Sequence, residues 1–190
     1  YLTHPLSSKR KKHIFFNLKN QKIKNFKDLD KKFSLVKAKV NGFFLNDKQL
    51  KSIYKDNKNI ESFYAYSHRN YRVGKIKDAL ILVNKCIEFD ANNPYFYELK
   101  GQMLFENGKI SESIPQFRKA IQLMPNEKSF HLFLAKSLYH AKNKNSYNES
   151  IKILWSYIKE DDFPYDAWHY LGLNYGKLKK HDYSSYALAE

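Results

Sequence analysis

Residues 60–93 read IESFYAYSHRNYRVGKIKDALILVNKCIEFDANN, and residues 94–127 read PYFYELKGQMLFENGKISESIPQFRKAIQLMPNE. Placed one above the other, the two stretches align without a gap, so that Gly74 falls on Gly108 and Ile76 falls on Ile110. Related stretches follow at 128–164 and, in part, at 165–190. A repeat of about 34 residues is typical of a protein built from stacked supersecondary units.

Each copy has the pattern of two helices joined by a short turn, with small and bulky residues at fixed places. The arrangement resembles the tetratricopeptide (TPR) unit, whose W-x₂-L-G-x₂-Y signature is complete in the last copy. That signature comprises Trp168, Leu171, Gly172 and Tyr175. Gly101 in the second copy predicts a close crossing of two helices, with Phe117 filling the remaining space. The predicted fold is all-α: a right-handed TPR superhelix of about 3.5 repeats, preceded by two or three capping helices.

Details of the turns follow from the same alignment. Gly74 and Gly108 predict tight turns inside the first two repeats, because glycine adopts the left-handed conformation without strain. The third copy has 37 residues, and the stretch 140–149, HAKNKNSYNE, predicts a lengthened turn between its two helices. Cys86, the single cysteine, lies in an apolar segment and is predicted to be a small buried core residue.

The first sixty residues lack the repeat but contain helical patterns. A helix is predicted over 8–19, and a stronger one over 24–42, because apolar residues recur there at three- and four-residue steps. The residues predicted to face inward are Ile14, Phe15 and Leu18 in the first helix and Phe26, Leu29, Phe33, Val36 and Val40 in the second. Asn46 or Asp47 can cap a further short helix that carries Leu50.

Charge is concentrated in this N-terminal part. The chain has a net charge of +15, and residues 1–60 contain 16 Lys or Arg against 4 Asp or Glu. Such a surface can meet nucleic acid, anionic lipid or an acidic protein, although AT-rich codon bias is an alternative source of so much lysine. Only four of the 34 basic residues are arginine, so specific reading of nucleic-acid bases is not supported.

No catalytic motif is present in the chain. The seven histidines form neither H-E-x-x-H nor a zinc-binding spacing with the cysteine, and there is no G-x-S-x-G, P-loop or dinucleotide fingerprint. The sequence therefore predicts a binding protein that needs no cofactor of its own. A protein or peptide in the TPR groove is the expected partner, with no specific nucleic acid.

In TPR proteins, motif positions two, five, nine, twelve and thirteen face the groove. The candidate partner-binding residues at these positions are Tyr64, His68, Tyr71, Arg72, Tyr95, Glu98, Gln102, Phe105, Lys136, Tyr139, His140 and His169. The same positions also hold Glu106, Leu132, Asp166 and Lys177. Aromatic groups with both signs of charge favour an extended polypeptide over a carboxylate clamp, which would need a uniform set of basic residues.

The N-terminal stretch resembles a known enzyme family. THPLSSKR at 3–10 is similar to the T-H-P-L-x-x-x-R segment at the end of the catalytic domain in zinc metallopeptidases of family M forty-eight, and VKAKVNGFF at 36–44 is similar to their A-K-x-x-G-F segment. NPYFYELKGQMLFENGK at 93–109 resembles their best-preserved repeat. The likeness is to periplasmic members that carry TPR arrays and assist outer-membrane β-barrel assembly.

The resemblance implies a division of the chain and a cellular setting. Residues 1–13 would be the tail of a metallopeptidase catalytic domain, 14–59 a helical linker or cap, and 60–190 a TPR array with repeats at 60–93, 94–127, 128–164 and 165–190. Zinc would belong to the full-length enzyme, where His4 is a hypothetical regulatory or zinc-adjacent residue, whereas this chain holds no metal ligands.

The array would then position protein substrates for its own catalytic domain, in the periplasm and beside the outer-membrane protein assembly machinery. The alternative is a stand-alone TPR adaptor in the cytoplasm that binds a peptide partner. A third interpretation, non-specific nucleic-acid binding through residues 1–60, predicts strongly salt-dependent affinity.

Overall fold

The computed structural model describes residues 27–55, 58–158 and 165–190. Within those ranges the chain forms ten α-helices and no strand. They are α1 (Lys27–Phe44), α2 (Asp47–Ile53), α3 (Ile60–Arg72), α4 (Ile76–Phe89), α5 (Pro94–Glu106), α6 (Ile110–Leu123), α7 (Lys128–His140), α8 (Lys144–Ile158), α9 (Tyr165–Lys177) and α10 (His181–Ala189). The all-α fold is confirmed, and the helix predicted over 8–19 lies outside the described residues.

From α3 onward the helices pack in antiparallel pairs, α3 with α4, α5 with α6, α7 with α8, and α9 with α10. The second helix of each pair also packs on the first helix of the next pair. Because every pair buries a face against its neighbours, the apolar core runs along the array as linked clusters of side chains.

The turn inside each pair has the same length in all four repeats. Gly74 and Gly108 adopt φ values of 79° and 74°, and Lys142 and Lys179 take the equivalent places with φ values of 56° and 58°. The predicted lengthening of the third turn is wrong, because residues 141–143 connect α7 to α8 as shortly as in the other repeats. The extra length of the third repeat therefore lies beyond the start of α8.

Glycines set the close approach of the paired helices, as predicted. A Cβ added to Gly101 would lie 2.8 Å from the ring of Phe117, and one added to Gly172 would lie 2.6 Å from Cγ of Leu188. Phe117 is fully buried, so a shift of its ring would disturb the close-packed side chains around it. Cys86 is also fully buried, as expected, and this burial raises the pKa of its thiol to about 12.

The long helix α1 packs on α3 through a face that has Ala38 and Gly42 at its close contacts. Leu35, Ala38 and Gly42 are buried there, whereas Phe33 and Val36 lie on the opposite, exposed side of α1 together with Val40. The predicted inward face is therefore wrong for Phe33, Val36 and Val40, and the side chains of Phe26 and Leu29 lie outside the described residues. A close crossing selects the face whose side chains let the two backbones approach, and bulky phenylalanine and valine would hold them apart.

The short helix α2 closes this N-terminal cap. Asn46 forms a capping box with Gln49, in agreement with the predicted capping residue. Leu50 is buried, and Asn41 of α1 donates a hydrogen bond to the Tyr54 hydroxyl at 3.0 Å.

Candidate functional site

The first helices of successive pairs, α3, α5, α7 and α9, contact one another through the predicted groove positions. The Tyr71 hydroxyl donates a hydrogen bond to the Glu106 carboxylate, whose other oxygen accepts from Gln102 at 2.8 Å. Farther along, Lys136 forms an ion pair of 2.6 Å with Asp166. The Tyr71–Glu106 and Lys136–Asp166 contacts join side chains of different repeats. Together these side chains define one surface, here called the groove face.

The α5 part of the groove face is acidic. Glu106 is exposed, whereas Glu98 retains only 9% of its accessible surface. Burial raises the pKa of Glu98, and nearby Lys39 opposes that change. Burial, reinforced by the hydrogen bond to Glu106, also raises the pKa of Tyr71, so its hydroxyl remains protonated near neutral pH.

Aromatic rings cover the centre of the groove face. His140 lies between the Phe105 ring, with centroids 5.3 Å apart, and the Tyr170 ring, with centroids 6.4 Å apart. Tyr139 packs edge-on against Tyr170 at 5.7 Å. Burial lowers the pKa of His140, so this ring is neutral near pH 7 and the centre of the groove face carries little charge.

Near α9 the groove face combines a cation with further rings. The Lys136 ammonium lies 5.3 Å from the centroid of Tyr170 in addition to its ion pair with Asp166. His169 is exposed, stacks on Tyr165 at 6.2 Å and meets Tyr170 edge-on at 5.6 Å. Tyr170 thus contacts residues of both α7 and α9.

Among the predicted groove residues of the first repeat, only Tyr71 lies on the groove face. Tyr64 and His68 are buried, and a Cβ on Gly42 would lie 2.9 Å from Cβ of His68. Arg72 donates to the Phe43 carbonyl and lies 5.4 Å from the centroid of the Phe43 ring. His68 therefore belongs to the contact with the cap, whereas the Tyr64 ring packs against His68 and Phe96 of α5. Arg72 holds the end of α1.

Burial keeps the side chains of His68 and Tyr64 uncharged. It lowers the pKa of His68 to about 3, and the positive charge of Lys39 acts in the same direction. Burial also raises the pKa of Tyr64. Both side chains are therefore uncharged over the whole neutral range, which suits a packed interface and not the recognition of a charged partner.

Tyr95 occupies a separate place from the other candidates. Its ring packs edge-on against buried Phe130 at 5.7 Å, and its hydroxyl lies 3.8 Å from the sulfur of Met124. It is partly exposed beside the connection between the second and third repeats.

The structure brings together most of the other candidate residues on the groove face. They are Tyr71, Gln102, Phe105, Lys136, Tyr139, His140 and His169, with Glu98 beside them.

The sequence analysis missed Tyr170, which contacts four of the surrounding candidate side chains. It occupies the sixth position of the repeat, next to His169 at the fifth, and the family rule assigns only the fifth to the groove. The unusual density of aromatic residues in DAWHYLGLNY was the available signal, but it did not separate core rings from surface rings.

No metal site accompanies this surface. Among the described residues, no group of three or more His, Cys, Asp or Glu side chains is placed to hold a metal ion. His4 lies outside the described residues. In the part of the chain that the structure covers, no helix is both long and apolar enough to cross a membrane.

Solved structures with the same arrangement of helices are TPR proteins. The structure of MamA MSR-1 superposes with a TM-score of 0.68 at 14% sequence identity, over 84% of this chain and 90% of that chain. MamA residues 41 to the end from Desulfovibrio magneticus RS-1 gives a TM-score of 0.63 at 20% identity, over 67% and 71% of the two chains. The fold is therefore that of a TPR array.

YrrB provides a further comparison. It is described as a TPR protein with an unusual peptide-binding site, and it superposes with a TM-score of 0.66 at 15% identity, over 83% of this chain and 80% of its own. The sequence itself matches no protein-family model and no curated protein. At these identities the structural likeness establishes the TPR fold alone.

Proposed function

We propose that this chain is a TPR interaction module that binds an extended segment of a partner protein along the groove face. The observation that carries the proposal is the run of half-buried rings from Phe105 through His140 to Tyr170, which crosses three first helices. Partly exposed aromatic side chains are frequent anchors of protein interfaces. The peptide-binding site described for YrrB supports the same use of this fold.

Polar groups beside the rings can fix the partner's backbone. Among the described residues, no hydrogen bond is formed by the Tyr139 hydroxyl, the Tyr170 hydroxyl or the ring nitrogens of His140. These groups can donate to or accept from the amides of an extended chain. Adjacent helices lie about 8–10 Å apart, so three of them span about 20 Å and contact about six extended residues.

The test is selection from a displayed library of random peptides, followed by affinity measurements on one selected peptide. Replacing His140 and Tyr170 together by alanine removes the centre of the ring cluster, and each anchor contributes about 2 kcal/mol or more. We expect affinity to fall at least about thirty-fold. The matched control replaces Tyr183 and Tyr186 by alanine, because both are exposed on the second helix α10.

Equal binding by the wild type and the His140/Tyr170 variant would contradict the proposal, provided that both have the same helical circular dichroism. Loss of binding in the Tyr183/Tyr186 control alone would place the site on the other side of the array.

A narrower proposal rests on the resemblance of residues 3–10 and 36–44 to metallopeptidases. In that case the groove face presents outer-membrane proteins to a periplasmic zinc metalloendopeptidase domain of the same protein, with no catalysis by this chain. An H-E-x-x-H motif encoded upstream of Tyr1 is the first requirement. In the complete enzyme the His140/Tyr170 variant should raise KM for an unfolded protein substrate and leave cleavage of a short peptide unchanged. Absence of the motif would leave the stand-alone adaptor.

A further inference from the structure

The helix α1 has two apolar faces, and only one of them is covered. Opposite its contact with α3 lies a row of large side chains, here called the α1 stripe. Its members and their exposed fractions are Phe33 (68%), Val36 (59%), Val40 (48%), Phe43 (52%) and Phe44 (71%). Steps of three and four residues place these side chains along one side of an α-helix.

The α1 stripe makes few contacts with the described protein. Phe43 and Phe44 pack edge-on against each other at 5.1 Å, and Arg72 covers part of the Phe43 ring. Scattered exposed apolar residues are normal, but five along one helix form a contiguous patch of the kind that marks an interaction surface.

Lysines border the α1 stripe on both sides. Lys32 and Lys39 flank one edge, Lys37 flanks the other, and all three are exposed. One exposed carboxylate, Asp30, lies on the same edge as Lys37, so the border keeps a net positive charge. Asp47 does not offset these charges, because it is paired with Arg69 at 2.8 Å. The occupant of this surface must therefore combine apolar material with negative charge.

Charge argues against two candidate occupants from the protein itself. A second copy would bring the same lysines together between two chains of net charge +15. Residues 1–26 contain seven Lys or Arg and no Asp or Glu, so they too would be repelled. Neither can neutralise the basic border of the α1 stripe.

We propose that the α1 stripe docks on an anionic lipid surface. The row itself contains no polar side chain that could orient a protein partner. A helix with aromatic and aliphatic residues on one face and lysines along its edges lies in the headgroup layer, with the apolar residues reaching the acyl chains. The lysine stems can extend beside the helix so that their ammonium groups meet lipid phosphates. This proposal is independent of the groove face.

The test is flotation of the full chain with vesicles of phosphatidylcholine alone or mixed with phosphatidylglycerol. We expect binding only to the mixture, decreasing as salt is added. Reversing Lys32 and Lys37 to glutamate should lower partitioning by at least about thirty-fold, since each lysine near such a surface contributes about 1 kcal/mol and the reversal adds repulsion. The charge-matched control reverses Lys144 and Lys152 on α8, and should bind nearly as well as the wild type.

The apolar contribution is tested by replacing Phe33 and Phe43 with serine. We expect this variant to stay unbound, whereas the control with serine at Ile81 and Phe89, which are comparably exposed on α4, should float like the wild type. If the Phe33/Phe43 variant binds as the wild type does, simple charge attraction is sufficient and the proposal is wrong.

A label on the α1 stripe separates the possible occupants. Phe44→Cys can be modified with a polarity-sensitive fluorophore, because Cys86 is buried with its thiol pKa raised to about 12 and should not react. We expect the emission to shift to the blue only when anionic vesicles are added. A blue shift without vesicles that does not depend on protein concentration would show that another part of the chain covers the α1 stripe. A blue shift that grows with protein concentration would show self-association. Either result overturns the proposal, as does a shift produced only by an acidic protein.

Discussion

A single methyl group added at Gly42 should weaken the packing of α1 on the repeat array. A Cβ at this position would lie 2.9 Å from Cβ of His68 and closer still to the carbonyl oxygen of Ala65. The carbonyl belongs to the backbone of α3, so no side-chain rotation relieves the overlap. Overpacking of this kind costs about 1–3 kcal/mol, and alanine regains up to about 1 kcal/mol of helix propensity over glycine. We expect Gly42→Ala to destabilise the cap by about 1–2 kcal/mol.

Hydrogen exchange read by mass spectrometry measures this effect locally. Protection of residues 27–44 should fall about five- to thirty-fold in Gly42→Ala, and that of α9 should not change. The control is Gly176→Ala, where a Cβ would lie 3.4 Å from Oγ of Ser184, an ordinary contact, so no loss is expected. If exchange over 27–44 and the urea midpoint are both unchanged in Gly42→Ala, then α1 is not seated closely on α3 and the account of the cap is wrong.

Two further predictions concern the acid response and the turns. Burial lowers the pKa of His68 from 6.5 to about 3, so the unfolded chain binds a proton that the folded protein rejects. The contribution of His68 to the free energy of unfolding is therefore complete above about pH 6.5 and is lost as the pH falls towards 3. Urea titrations should show that the free energy of unfolding depends less on acid pH in His68→Gln than in the wild type. The same dependence on pH in both proteins would contradict the burial of His68. Lys142 has a left-handed φ of 56°, which costs about 1–2 kcal/mol in a residue with a side chain, whereas glycine adds about 0.5–1 kcal/mol of unfolded-state entropy. Lys142→Gly should therefore raise the midpoint temperature of thermal unfolding, and the reciprocal Gly108→Lys should lower it. A shift of the same sign in both variants would refute the argument.

Most of the repeat array was predictable because its determinants are local. Gly101 and Gly172 indicated where helices cross, and Gly74 and Gly108 indicated where the chain turns; the structure confirms each of them. The third turn was predicted wrongly because its left-handed residue is a lysine. No glycine marked the position, and the extra residues of that repeat were assigned to the wrong connection.

The groove face was predicted in part. The positions of Phe105, Lys136 and His140 followed from the family rule, and the structure places them on one surface with Tyr170 among them. Tyr64 and His68 satisfied the same rule but are buried. The rule describes a repeat with a free groove side, and it contains no information about a helix from another part of the chain.

The sequence by itself determined the repeat, because a period of 34 residues, small residues at helix crossings and apolar faces are all encoded within each unit. The tertiary structure decided which face of α1 is buried. Both of its faces are apolar, so periodicity alone cannot distinguish them, and the bulkier face was the natural choice. Packing at short distance on α3 selects the face with Ala38 and Gly42, since only small residues at the crossing let two helix backbones approach so closely. The same contact covers part of the groove face and leaves the α1 stripe exposed.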